Sequence, residues 1–400
     1  MPPADTQAQR VAVALVVATA NGGFEPREVY LGEVRSNEIL IRMVATGICH
    51  TDFSGQNGTI PVPMPVILGH EGAGVVEEVG AQVKHVQVGD HVLLSFPACE
   101  TCTSCRKGQP AHCEEGPRLI FGGARLDNST PFSLADGQRV HSFFGQSSFS
   151  SRSIVNGYCA TSIDKDLPLS VLCPFGCSIQ TGAGTVLNIL SPTVDSSVVV
   201  YGAGSVGLAG IIAAANLTPA TKIIAVDICD EKLLLAQRLG ATHAINSSKE
   251  DVVRAIRHLT NGDGSSHAFD TTGIKAVIEN MFEASANGAR IASVASPPKG
   301  EPIHIEVSTW IGRGLVYSAV SQGSAVPRLV SARRKLNIPC VNLLILMYRH
   351  KFLPALVEFW KQGRLPVDEM VTEYSWKDFA KMQEDVRQGV CVKPVLIWDL

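Results

Sequence analysis

Four cysteines crowd one stretch of the chain, Cys99-x2-Cys102-x2-Cys105-x7-Cys113. Thiolates at this spacing can surround a single tetrahedral centre, the arrangement of a closed structural Zn2+ site. A four-thiolate iron–sulfur cluster would use the same ligands, but nothing in the neighbouring sequence suggests an electron relay, and zinc is preferred. A closed site has no open position for a reactant, so its part would be to fold the loop. A second set is dispersed: Cys49 after the run EILIRMVATG, His70 in Gly69-His70-Glu71-Gly72, and Cys177 in LCPFGCSIQTGAG. Two thiolates and an imidazole leave the fourth position of a zinc ion open to water or a substrate oxygen, and the ion lowers the pKa of what it holds there. Glu71 is expected just behind such a metal, and Asp52 is expected to orient His70 through its other ring nitrogen. An ordinary structural ion pair is the competing reading for each. Cys173, four residues before Cys177, reads as a buried thiol.

The run VVVYGAGSVGLAGI predicts a strand, a turn carrying Gly202-x-Gly204-x-x-Gly207, and the start of a helix, with Val206 inside the motif. Gly202 permits a tight turn, Gly204 lets a pyrophosphate approach the backbone, and Gly207 lets helix pack on strand. The helix N-terminus adds free amides and a favourable dipole for the anion. Asp227 ends KIIAVD, twenty residues beyond Gly207. A carboxylate there accepts hydrogen bonds from an adenosine ribose and repels a 2′-phosphate. The expected dinucleotide is therefore NAD rather than NADP, with Lys232 as a further ribose contact.

Two kinds of scaffold have to hold these groups. Residues 11 to 95 are rich in Val, Ile and Gly, with strand-like runs parted by Pro and Gly turns, which predicts mostly β structure. Residues 110 to 149 carry Gly122-Gly123, Asp127-Asn128-Ser129 and Asp136-Gly137 and are expected to form a long surface excursion with little regular structure. From about Ser191, short apolar runs alternate with segments of helical period such as DEKLLLAQRLG. That alternation predicts an α/β fold with a parallel, doubly wound sheet. Helical patterns return after about Gln322, and the chain ends in VKPVLIWDL, a strand able to rejoin the first domain. With 400 residues and 45% hydrophobic side chains, the chain can build two cores. A net charge of -3 with no dense basic run gives no reason to expect nucleic acid or an anionic membrane as partner, which leaves a small molecule. The apolar run from Val11 to Ala18 is too short to span a bilayer and lacks a basic leader. A cytoplasmic location is expected, where 11 cysteines are metal ligands or buried thiols rather than disulfides.

The order of these features, with GHEGAGVVEEVG, the four-cysteine loop, GCSIQTGAG, GAGSVGLA and VDICDEKLLLAQRLGA, resembles the medium-chain zinc-dependent alcohol dehydrogenase family over nearly the whole chain. The resemblance implies a GroES-like catalytic domain at 1–179, a Rossmann domain at 180–322 and a segment 323–400 that completes the first. It implies two zinc ions per chain, NAD as cofactor, an alcohol or aldehyde as substrate, and a homodimer or homotetramer as the assembly. Matched by motif, Cys49, His70 and Cys177 correspond to the catalytic zinc ligands and Thr51 to the hydroxyl that hydrogen-bonds the alcohol oxygen and begins a proton relay. Thr181 corresponds to a residue beside the nicotinamide, the Val294 backbone to a carboxamide contact, Lys393 to a basic pyrophosphate contact, and Phe96 to a wall of the substrate pocket. The phrases LSFPAC, FGGARLDNST, FFGQSSF and IQTGAG resemble most the benzyl, aryl and terpene alcohol branch, which implies bulky apolar primary alcohols or their aldehydes.

The chain departs from the family pattern in three places. His50 stands in place of a frequent arginine at the cofactor phosphate, and Ser54 stands where liver-type members place a relay histidine. With a serine or water chain carrying the proton, Ser54→Ala is expected to slow turnover by less than about 10-fold, well short of the roughly 10²–10⁴-fold a dedicated acid–base group supplies. A collapse of kcat with zinc and NAD still bound would reject that relay. LVSARRKLNIPCVNLLILMYR at 329–349 reads as an insertion, either a helical excursion or translated intron sequence. Two rival readings stand beside the main one. A glutathione-dependent formaldehyde dehydrogenase would need basic groups for an anionic thiol adduct. A catalytically silent structural relative would have no need of both the open ligand trio and the glycine fingerprint.

Overall fold

In the computed structural model, which describes residues 10–326 and 352–399, the run EILIRMVATG forms the strand Glu38–Gly47 and is buried along nearly its whole length. Its neighbours account for the burial: it pairs antiparallel with Glu71–Val79, with Arg152–Asn156 and with Lys393–Ile397. The sheet around it has seven strands, running Ala160–Ile163, His91–Leu94, Glu71–Val79, Glu38–Gly47, Lys393–Ile397 and Val371–Ser375, with Arg152–Asn156 also on Glu38–Gly47. A five-stranded antiparallel sheet is built on the hairpin of Arg10–Val17 and Phe24–Leu31. Val16, Leu31, Ile41, Phe143, Phe149 and Leu396 pack into the core that these sheets share. The excursion from 110 to 149 holds more regular structure than its turn residues suggest: a short helix at Gly116–Phe121, and Phe132–Ser133 and Arg139–Val140, which extend the five-stranded sheet.

A six-stranded sheet runs His243–Asn246, Lys222–Asp227, Ser197–Tyr201, Ser265–Asp270, Ser285–Ser293 and Val316–Ala319, every pairing parallel. Ser197–Tyr201 is buried at all its positions, as a central parallel strand with helices on both faces must be. Ser205–Leu217, Asp230–Arg238, Val252–Leu259, Lys275–Ala284 and Val307–Arg313 are the connecting helices, and the strand order is that of a doubly wound dinucleotide fold.

The chain divides into two units, Met1–Cys177 with Val371–Leu400, and Ser178–Met370. The described residues 323–326 and 352–370, expected with the closing segment, fall in the second unit. The apolar side of the helix Phe352–Lys361, with Phe352, Leu353 and Leu356 buried, packs on the helix Ser178–Gly184. The insertion expected at 329–349 lies outside the described residues. Among the described residues no helix is long and apolar enough to cross a membrane, and the ten cysteines there form no disulfide.

Candidate metal centres and nucleotide loop

Cys49, His70, Glu71 and Cys177 place one donor atom each within 4.8 Å of one another. Local structure brings them there. Cys49 is the N-cap of the helix His50–Gln56, which follows directly on the strand Glu38–Gly47. His70 and Glu71 stand at the start of the strand Glu71–Val79, and Cys177 follows the tight turn Cys173–Gly176. Asp52, fully buried, ties the first two together: its Oδ2 accepts the Cys49 N–H at 2.9 Å, and its Oδ1 accepts the Gly69 N–H at 3.1 Å and lies 2.8 Å from His70 Nδ1. A carboxylate at that nitrogen holds the proton there and turns the lone pair of Nε2 towards the cluster. Nε2 is buried and makes no well-formed hydrogen bond among the described residues. Such a group costs roughly 1–3 kcal/mol, which coordination to a metal ion would remove. With Glu71 paired to Lys393, the trio Cys49, His70 and Cys177 therefore fits a zinc ion with one position open.

The ionisations of the three donors are linked. Cys177 donates its thiol proton towards Cys49, which holds the Cys49 pKa well below the usual thiol range; His70 and Lys393 add to this against the burial. That same bond and burial push Cys177 well up. Burial opposes a charge on His70, but the Asp52 and Cys49 charges outweigh it and raise its pKa. Thr51 Oγ1 lies 3.6 Å from the Cys49 sulfur. His50 is exposed and Ser54 half-buried on the same short helix. Cys173 is fully buried, its thiol donating to the Ser170 carbonyl at 3.4 Å.

Lys393, expected at the cofactor pyrophosphate, is wholly buried, with its ammonium 2.5 Å from Glu71 Oε2 and 2.8 Å from the Ile48 carbonyl. A buried ammonium takes the nearest buried carboxylate and carbonyl, since it loses solvation on every other side. Burial raises the Glu71 pKa and the Lys393 charge opposes that rise. On Lys393 burial works downward, and the charges of Glu71, Cys49 and Cys177 together more than reverse it.

Two residues that sequence reasoning did not single out sit on His70. The Phe144 ring stacks on the imidazole at 4.3 Å and 22°, and Phe143 meets it edge-on at 5.8 Å. Only the phrase FFGQSSF marked them, and only by resemblance. Phe96 is also buried.

The four-cysteine loop closes on itself. The donor atoms of Cys99, Cys102, Cys105 and Cys113 lie within 4.8 Å of one another, with the short helix Thr103–Arg106 between the second and fourth. The N–H groups of Cys99, Cys102 and Cys105 point at the sulfurs of Cys113, Cys99 and Cys102, at 3.3, 3.3 and 3.4 Å. Burial disfavours charge on Cys99, but N–H donors from Cys102 and Thr101 outweigh it and bring its pKa down to about 6. Backbone N–H groups aimed at sulfur favour thiolates, the form that binds a metal.

In the second unit, Gly202 has φ +93°, and a Cβ on Gly207 would come within 1.8 Å of the Gly202 carbonyl oxygen. A Cβ on Gly204, the N-cap of Ser205–Leu217, would meet nothing within 4 Å. Backbone open to solvent at a helix N-terminus is a cradle for a phosphate group. Asp227 braces this loop: Oδ2 accepts the Ala203 N–H at 2.7 Å, and Oδ1 accepts the N–H groups of Ile228 and Cys229 at 2.8 and 3.0 Å. Lys232 and Val206 are half-buried on the helices Asp230–Arg238 and Ser205–Leu217. Val294 follows the strand Ser285–Ser293, its N–H donating to the Asp270 carbonyl at 3.0 Å. Thr181 is buried in Ser178–Gly184, its carbonyl accepting from Thr185 Oγ1 at 2.7 Å.

Residues 35–141 match the alcohol dehydrogenase GroES-like domain, and residues 205–332 match the zinc-binding dehydrogenase family. The geraniol dehydrogenase of Castellaniella defragrans is 32% identical, over 98% of this chain and 100% of that protein. The S-(hydroxymethyl)glutathione dehydrogenase of Paracoccus denitrificans is 32% identical over 97% and 99%. The crystal structure of benzyl alcohol dehydrogenase from Acinetobacter calcoaceticus superimposes with a TM-score of 0.88 at 35% identity, covering 97% and 99% of the two chains. Likeness of this extent, over both units at once, makes the chain a member of the medium-chain, zinc-dependent alcohol dehydrogenase family, an oxidoreductase of small-molecule alcohols and aldehydes with zinc and NAD as cofactors.

Proposed function

We propose that this chain interconverts a bulky apolar primary alcohol, aryl or allylic, and its aldehyde with NAD, using one zinc at Cys49, His70 and Cys177 and a second at Cys99, Cys102, Cys105 and Cys113. The observation that carries the reading is the His70 Nε2, buried and without a well-formed hydrogen bond among the described residues, beside two thiols and with Nδ1 held by Asp52. When bound, zinc supplies a Lewis acid for the substrate oxygen and NAD accepts or returns the hydride. The side chains do the rest. Asp52 keeps His70 in the tautomer that presents Nε2. Thr51, next to Cys49, takes the alcohol proton at Oγ1 and hands it towards Ser54 or water, the route to solvent without a relay histidine. Phe143 and Phe144 put apolar rings against His70 and exclude water from it. Those rings, with the names of two relatives, support an aryl or terpenoid substrate over an anionic glutathione adduct. The enzyme is read as cytoplasmic and as a homodimer or homotetramer; exposed Val307, Ile311 and Val316 near the edge strand Val316–Ala319 support association.

The test is a panel of benzyl alcohol, geraniol and S-hydroxymethylglutathione, with their aldehydes in reverse, run with NAD and NADP and joined to metal analysis. Benzyl alcohol or geraniol turned over with NAD at two zincs per chain is the expected result. Preference for S-hydroxymethylglutathione overturns the substrate class, and a single zinc with no NADH binding overturns the enzyme itself. Asp227→Asn keeps the acceptor for Ala203 but loses the charge. It is expected to narrow the preference for NAD over NADP by about 10-fold, equivalent to ~1.4 kcal/mol, read as the ratio of kcat/KM values. An unchanged ratio counts against Asp227 as the discriminating group.

A further inference from the structure

Gln146 is fully buried, and both ends of its amide are engaged. Nε2 donates to the His70 carbonyl at 2.8 Å and to the Ser95 carbonyl at 2.9 Å, while Oε1 accepts the Gly72 N–H at 3.2 Å. The strands Glu71–Val79 and His91–Leu94 pair only from Ala73↔Leu93 to Val75↔His91. Beyond that pairing the side-chain amide takes the part of a strand partner, satisfying three backbone groups that would otherwise be buried alone. Ser95 carries the connection onward: its Oγ donates to the Gly176 carbonyl at 2.8 Å, one residue before Cys177. Gly176 lies so close that a Cβ there would stand 1.8 Å from the Leu94 carbonyl oxygen, so the approach requires glycine. The backbones of His70 and Cys177 are thus joined through one amide and one hydroxyl.

The segment that delivers Gln146 is strained. Phe144 and Ser147 have φ of +53° and +47°, a region costing a residue other than glycine about 1–3 kcal/mol. Those turns put the Phe144 ring on the His70 imidazole and the Gln146 amide on the His70 backbone in one stroke.

We propose that Gln146 is a positioning residue for the metal centre, setting with Ser95 the separation of His70 and Cys177 so that the donors are assembled before the ion arrives. The inference rests on the reading of Cys49, His70 and Cys177 as zinc ligands. The full chain loaded with Co2+ in both clusters tests it. Gln146→Met preserves length but removes the donors and the acceptor; Ser95→Ala removes the hydroxyl that donates to Gly176 and keeps the Ser95 carbonyl. The measurements are cobalt per chain, the rate of cobalt transfer to a chelator, the thiolate-to-cobalt charge-transfer band, and Tm. Gln146→Met is expected to release one of its two ions about 10- to 100-fold faster than wild type and to shift the charge-transfer band, with the four-cysteine ion released at its wild-type rate. Ser95→Ala is expected to act on the same ion to a smaller degree, and it carries the test alone if Gln146→Met does not fold. Unchanged release and spectrum overturn the proposal, as does acceleration of both ions alike in step with a lower Tm. One cobalt per wild-type chain overturns the zinc-ligand reading itself, a result distinct from the other two.

Discussion

Cys49→Ser is expected to remove the metal from its cluster and with it turnover, on the order of 10³-fold or more, since Lewis-acid stabilisation of several kcal/mol converts to a factor of that size. The cause is chemical rather than steric. Cys49 is the thiol of the cluster whose pKa is held well down, by the proton Cys177 shares with it, by His70 and by Lys393; a serine hydroxyl in the same place stays protonated and is a poor zinc ligand. Zinc per chain should fall from two to one. NADH binding should persist, since the glycine loop and Asp227 belong to the other unit, and the four-cysteine loop should keep its ion. Activity retained in the variant would reject the metal assignment.

Lys393→Met is expected to cost about 3–5 kcal/mol of stability, the range for breaking a buried ion pair by removing one partner, while leaving NADH affinity within about 2-fold of wild type, a change of only ~0.4 kcal/mol. The ammonium and the Glu71 carboxylate are both fully buried at 2.5 Å, so the methionine takes a buried cation from that carboxylate and the donor from the Ile48 carbonyl. Pairing it with Glu71→Gln should recover much of the loss, because the orphaned charge goes too. Urea unfolding and calorimetric titration with NADH read the two effects separately. A 10-fold weaker NADH complex at unchanged stability would return Lys393 to the pyrophosphate, as its motif implies.

How much was legible in advance followed from how far apart the parts lie. The four cysteines span one loop, so their spacing bounds their separation in space, and the structure finds their sulfurs together. The glycine fingerprint is likewise local: a strand, a turn and a helix N-terminus in sequence order. Asp52 and His70 are a pair the sequence suggests, but that Asp52 also accepts the Cys49 and Gly69 N–H groups is seen only in the structure. A motif does not contain burial, so the ion pair of Lys393 with Glu71 could not be read from its place in VKPVL.

Residue types and spacing by themselves determined the fold class, the two kinds of metal cluster and the nucleotide loop, because each rests on periodicity or on groups joined by a short chain. Tertiary structure alone decided that Phe144 lies on His70, that Gln146 and Ser95 join His70 to Cys177, and that Lys393 faces Glu71. Those contacts form where strands and turns distant in sequence meet in one core, and no local pattern in the chain carries the free energy of that meeting.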